Sequence, residues 1–201
     1  MPTSLHRLPL LIAVSLSLLA QHTYSQSGCA IELDEVDPFT KERVVCVVPS
    51  APSGGPLYRW HAVDKNKTLK LTWSAPGNAQ MVVLEGDMLY LLLETDSVVQ
   101  LYSVSTEVGA YKVDDQGKPS YTGTYTFGVP NEVLPLLQRS WVVRIRMYHT
   151  TGYQDFVAEK DTKWQSGFAN TLDCFLSTCS AGRPMPANAV LGQSLAPVSG
   201  R

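Results

Sequence analysis

Beyond its N-terminal segment, this 201-residue chain has no apolar run approaching the roughly 20 residues that a membrane-crossing helix needs. Charge is sparse too: Asp, Glu, Lys and Arg make up 17% of the residues and nearly cancel, leaving a net charge of −2. Without a basic excess, no nucleic-acid partner is implied. The Walker A and dinucleotide glycine patterns are missing, and so is the G-x-S-x-G elbow of a hydrolase sheet. No cofactor is therefore suggested. There are four cysteines and four histidines, and none falls into the paired short spacings of zinc sites or into H-E-x-x-H, so no metal is expected.

What the N-terminus does have is the plan of a secretory signal. Arg7 and the start methionine give a positive region, "LPLLIAVSLSLLA" from Leu8 to Ala20 gives an apolar core too short to span a bilayer, and Thr23 and Ser25 supply small residues before a cleavage point. Residues 1–25 are thus expected to be removed, which takes Arg7 with them and leaves a mature charge of about −3. The chain after Ser180 shifts to Pro, Ala, Gly and Ser and reads as a disordered tail over 181–201. Between them, 26–180 is the length of one ordinary domain with a single core. Export predicts a periplasmic, cell-surface or secreted protein and permits disulfides among Cys29, Cys46, Cys174 and Cys179. Four cysteines allow three pairings, which sequence cannot separate; a tie between the two ends of the domain would stabilise most. Lipidation of Cys29 is disfavoured by Gln26 at −3 and by the long gap after the apolar core.

The domain itself reads as mainly β. Between Val44 and Lys160 short runs of Val, Leu, Tyr and Thr are bounded by Gly, Pro, Asn or Asp. "TLKLTWS" alternates Leu69, Leu71 and Trp73 with polar residues, so one face is buried, and "DKNK" joins it to the preceding "LYRWHAV" as a hairpin. "QMVVL", "MLYLLLET" and "SVVQLYSVS" suggest a three-stranded meander whose middle strand is covered on both faces. "YTGTYTF" puts Tyr121, Tyr125 and Phe127 on one face with Gly123. Two helices interrupt the strands. "NEVLPLLQ" predicts a short one capped by Asn131, with Pro135 in its first turn. Trp164, Phe168, Leu172 and Leu176 recur every fourth residue and predict a helix over 161–177, capped by Asp161 or Thr162 and packed on the sheet. The expected fold is an antiparallel sheet of sandwich or curved-sheet type, with one short internal helix and a C-terminal helix.

Candidate chemistry is thin. Loss of His6 and His22 with the signal leaves His61 and His149, either of which a hydrolase of an envelope or extracellular polymer would pair with a carboxylate as acid and base. The acidic stretch "ELDEVDPFTKE" lacks the central glycine of a calcium loop and reads as a solvated lead-in to the first strand. The densest polar cluster is "SWVVRIRMYHTTGYQDF". Alternation turns Val143, Ile145 and Met147 to the core and Arg144, Arg146 and Tyr148 to solvent. A two-residue turn at Thr151 and Gly152 would set Tyr148 against Asp155, Arg146 against Val157 and Arg144 against Glu159. That leaves Arg146, Tyr148, His149 and Tyr153 as the candidate binding residues, for a protein or glycan partner.

The order of parts, from "DEVDPFTKERVV" through "GDMLYLLLETDSVVQLY" to "VVRIRMY" and a closing helix, resembles a family of small exported bacterial proteins of unknown function. The similarity runs from about Asp34 to Cys174. It rests on Asp37, Phe39 and Thr40 in the first motif and on Arg144, Ile145 and Arg146 in the last. Lys41 stands where that pattern has glycine. The resemblance implies export and a β domain, with no activity to carry over. The leading expectation is an exported domain that binds or has a structural role in the cell envelope.

Overall fold

A computed structural model of the chain describes residues 29–51, 54–77, 80–158 and 161–181. The expected signal peptide, the tail beyond residue 181 and Glu159 lie outside the described residues. Ten strands form one antiparallel sheet in the order β1-β2-β3-β4-β10-β7-β6-β11-β12, with β9 also paired to β10, and β5 and β8 form a separate two-stranded ribbon. The strands are β1 (Cys29–Val36), β2 (Arg43–Pro49), β3 (Leu57–Val63), β4 (Asn66–Pro76), β5 (Val82–Val83), β6 (Met88–Leu93), β7 (Val98–Ser103), β8 (Glu107–Val108), β9 (Ala110–Val113), β10 (Pro119–Gly128), β11 (Val142–His149) and β12 (Gly152–Val157). Helix α1 (Leu134–Arg139) follows a 3-10 turn at Asn131–Val133, and α2 (Thr162–Ser180) ends the described chain.

The sheet is strongly curved. Trp73 on β4 and Phe156 on β12 have ring centroids 6.5 Å apart, yet four strands lie between β4 and β12 in the sheet order. Flat, those strands would stand about 24 Å apart at the usual spacing of about 4.8 Å. α2 lies against the inner face of this curl. Its Trp164 and Phe168 pack on Tyr58 of β3 at 5.4 and 5.2 Å, and Phe175 stacks on Trp60 at 5.8 Å. The every-fourth-residue stripe of the sequence is the buried face, except that its last member turns: Phe175 is fully buried and Leu176 only half so. Asp161 accepts the cap hydrogen bond from Trp164 N. The helix runs three residues past the expected Ser177, with Ser177, Thr178 and Ser180 each bonding back to the carbonyl four residues earlier.

Several expectations need correcting. The acidic lead-in is itself edge strand β1, whose alternation is hidden by a bulge that leaves Glu32 without a partner on β2. The three-stranded meander breaks because "VV" of β5 leaves the sheet and pairs with β8. Asn131 does not cap α1; its side-chain oxygen accepts from Lys67 Nζ instead. The middle strand β6 is covered on one face only: Leu89, Leu91 and Leu93 are buried, while Met88, Tyr90 and Leu92 remain half-exposed. Among the cysteines, Cys29 and Cys174 form a disulfide and Cys46 and Cys179 stay as thiols. Each thiol lacks a counterpart because Cys46 points to the outer face of β2 while Cys179 sits near the end of α2 on the inner side.

Candidate functional site

On β4 and β10 the outer face is polar and its hydroxyls satisfy one another. Between β4 and β10, Thr72 and Thr124 hydroxyls meet at 2.8 Å, as do those of Ser74 and Thr122. On β7, β6, β11 and β12 the composition changes. The pairings set Tyr102 beside Met88, then Gln100, Tyr90, Arg146 and Asp155 in one row, and Val98, Leu92, Arg144 and Val157 in another. All these side chains point away from the core, and Val98, Tyr102 and Tyr153 are each more than half exposed.

Arg146 anchors this face. Its Nε and Nη2 donate to the two carboxylate oxygens of Asp155, each at 2.7 Å, and its guanidinium carbon lies 4.0 Å from the Tyr153 ring centroid. Tyr148 packs edge-on to Tyr90 at 5.5 Å and lies 6.0 Å from Tyr153. The hydrogen bonds from Arg146 hold the Asp155 carboxyl below the usual carboxylate range, with the Arg146 and Arg144 charges adding to them, and the same bonds push Arg146 up. This bidentate pair, stacked on an aromatic ring, is a fixed geometry. Beside it Tyr90, Leu92, Val98, Arg144 and Arg146 line a depression of about 200 Å³. Arg144 is exposed there, and among the described residues its side chain makes no hydrogen bond. The result is one anchored cation, one unbonded cation and an apolar floor.

Of the four candidate binding residues, Arg146, Tyr148 and Tyr153 come together on this face. His149 does not: it shares the inward parity of Ile145 and Met147, pairs with Gly152, and its Nδ1 lies 3.0 Å from Thr151 Oγ1. The hairpin is also shifted by two residues from the expected register. The turn is Thr150 and Thr151, so Arg146 meets Asp155, Tyr148 meets Tyr153 and Arg144 meets Val157. Thr150 N donates to Val82 O at 2.9 Å, which pins the tip to β5. A bulge between Val142 and Arg144 gives Val142 the buried position expected for Val143. Tyr90, Leu92, Val98 and Asp155 were missing from the sequence-derived set. For Tyr90 and Leu92 the signal was the unbroken run "MLYLLL", since a sheet with one core must expose the other half of such a run.

The second histidine gives no acid–base pair either. His61 lies on the outer face of β3 between Cys46 and Thr68, and burial, helped by the Lys70 charge, pushes its pKa down. Cys46 donates to Glu32 Oε2 at 3.2 Å, and Glu32 also accepts from Arg59 Nη1 at 3.0 Å. Burial first, then the Glu32 carboxylate, pushes this thiol up to about 11, so it stays protonated at neutral pH and is a poor nucleophile. No group of three or more metal-ligating side chains occurs among the described residues. The Cys29 sulfur is engaged in the disulfide, which leaves no thiol there for a lipid. No helix among the described residues is long and apolar enough to cross a membrane. No family model, curated protein or solved structure matches this chain.

Proposed function

We propose that this protein is an exported domain of the cell envelope, placed in the periplasm, at the cell surface or outside the cell, and that it works by binding a partner on the outer face of β7, β6, β11 and β12. The signal-like N-terminus supports export, and the Cys29–Cys174 disulfide fits an oxidising compartment. The observation that carries the binding reading is Arg144: exposed, with no side-chain hydrogen bond among the described residues, and set over the apolar floor of Leu92 and Val98 beside the Arg146–Asp155–Tyr153 stack. An arginine seeks a carboxylate, and the floor and the Tyr90 wall seek an apolar group or ring. The ligand chemistry that fits is an acidic segment of a protein partner with an aromatic side chain next to its carboxylate.

Titration of the purified protein with a short peptide carrying one phenylalanine between acidic residues tests this. A second peptide with lysines in place of the acids and a neutral oligosaccharide serve as competing probes. The acidic peptide is expected to bind, and Arg144→Ala and Tyr90→Ala should each weaken it about tenfold or more. Preference for the oligosaccharide would replace the peptide reading with a glycan one, and binding of none of the three would sink it.

A further inference from the structure

We infer that the occupant of the outer-face depression is Phe39 of a second copy of this chain; this rests on the reading of that face as a binding surface. Phe39 is 91% exposed, more than any other large apolar side chain among the described residues, and the next, Val98 at 57%, lines the depression. The chain thus carries a knob and a hollow. A dry cavity of about 150 Å³ takes a benzene ring, so about 200 Å³ has room for a phenyl group.

The knob is rigid. Phe39 sits at the tip of the β1–β2 hairpin, where Asp37 Oδ1 accepts from Phe39 N at 2.7 Å and Thr40 N at 3.0 Å. Asp37 N donates to Glu42 O at 2.8 Å, and Lys41 N to Asp37 O at 2.9 Å, closing the turn. Docking must then order the Phe39 side chain but not the backbone that carries it. The charges also match. Glu35, Asp37 and Glu42 surround the tip, and the Lys41 ammonium is turned back onto Pro38 O. At the depression, Arg146 is already neutralised by Asp155, which leaves Arg144 to meet these acids. Knob and hollow lie on distant strands of the sheet order, and Phe39 does not line its own chain's depression. Each copy therefore offers both halves to others, reciprocally in a pair or head to tail.

Sedimentation velocity of the purified protein, from about 10 µM to about 0.5 mM, covers the range expected of a small interface. The wild type should gain mass with concentration, and Phe39→Ala and Arg144→Glu should each weaken association about tenfold or more. Both positions are exposed, and unchanged melting curves will confirm that the variants fold. Mixing the two variants is the sharper test, because one keeps an intact hollow and the other an intact knob: a one-to-one complex should reappear. Two results would overturn the proposal: a wild type that stays monomeric throughout, or an oligomer indifferent to both substitutions. If self-association fails while the acidic peptide still binds through Arg144, the outer-face reading stands alone; if both fail, both are wrong.

Discussion

Lys41 adopts φ 63°, in the left-handed region where a side chain costs energy that glycine avoids. The other non-glycine residues there among the described residues, Asp64 and Asp96, are of a type that tolerates the conformation. The conformation has a physical reason: the chain must turn left-handed here to close the Asp37–Glu42 turn. Lys41→Gly should stabilise the protein by about 0.5–1 kcal/mol, net of the glycine's greater unfolded-state freedom. Chemical denaturation measures this, and a loss instead of a gain would mean that the 2.6 Å bond from Lys41 Nζ to Pro38 O outweighs the strain. A second residue-scale expectation concerns alkali. Burial pushes the Cys46 thiol up to about 11 from an ordinary 9.0, and the Tyr58 and Tyr125 phenols up to about 12 from 10.0. A folded-state value raised above the unfolded one gives stability that is complete below the unfolded value and is lost as pH rises through the folded value. The melting temperature should therefore fall from about pH 9 upward, with Cys46 responsible for about 2 kcal/mol by pH 11. Cys46→Ala should flatten the curve between pH 9 and 10, and an unchanged slope there would show that the thiol does not drive it.

At the scale of elements, α2 is held at its C-terminus by an arginine that sequence patterns gave no reason to single out. Arg43 is only 8% exposed; it bonds both oxygens of Asp34 at 2.8 Å and donates to Thr178 O at 2.9 Å and Ala181 O at 2.7 Å. A cation there satisfies carbonyls that the helix end leaves open and meets the negative end of its dipole. Arg43→Met should cost about 3 kcal/mol, because it leaves Asp34 and the carbonyls without a donor. Adding Asp34→Asn should recover part of that loss in the denaturation midpoint. A single variant as stable as wild type would rule the clamp out. Elements with a clear period, such as Leu69, Leu71 and Trp73 of β4 or the aromatic stripe of α2, were legible from sequence alone, because burial on one face writes itself into the spacing. Register was not. "TTG" permits a turn at Thr150–Thr151 or at Thr151–Gly152 with the same facing parity, and the bond from Thr150 to Val82 that decides between them joins residues far apart in sequence. The bulges at Glu32 and Val143 are equally hard to read: the first hides the alternation of β1, and at the second Val142 and Val143 are both apolar, so the sequence does not say which is buried. The same limit split the candidate site: parity kept Arg146, Tyr148 and Tyr153 together and sent His149 inward, while Tyr90 stayed concealed in an apolar run until its strand neighbours were known.

For the whole molecule the decisive question is what keeps so curved a sheet closed around α2, since edge strands β1 and β12 each have a neighbour on one side only. Aromatic packing ties β12 to α2, with Phe156 and Trp164 at 5.2 Å. At the other edge the tie is covalent: Cys29 on β1 is joined to Cys174 on α2 across 145 residues of sequence. A bridge closing nearly the whole domain removes more freedom from the unfolded chain than either pairing within one end would. The chain-entropy model puts it at about 5 kcal/mol for a loop of this length, and engineered cases commonly deliver less. Much of the net stability of a domain this size, about 5–15 kcal/mol, would then depend on that one bond. Cys29→Ser/Cys174→Ser should accordingly lower unfolding stability by about 3–5 kcal/mol and release β1 first, because that edge strand would then keep only its pairing with β2 and the Arg43–Asp34 clamp. Hydrogen exchange distinguishes the two effects: amides of β1 should lose protection well before those of β4 and β10 at the centre of the sheet. Uniform loss of protection would mean that the bridge acts only through the unfolded state, and undiminished stability would mean that the Arg43 clamp and the aromatic core close the curl without it.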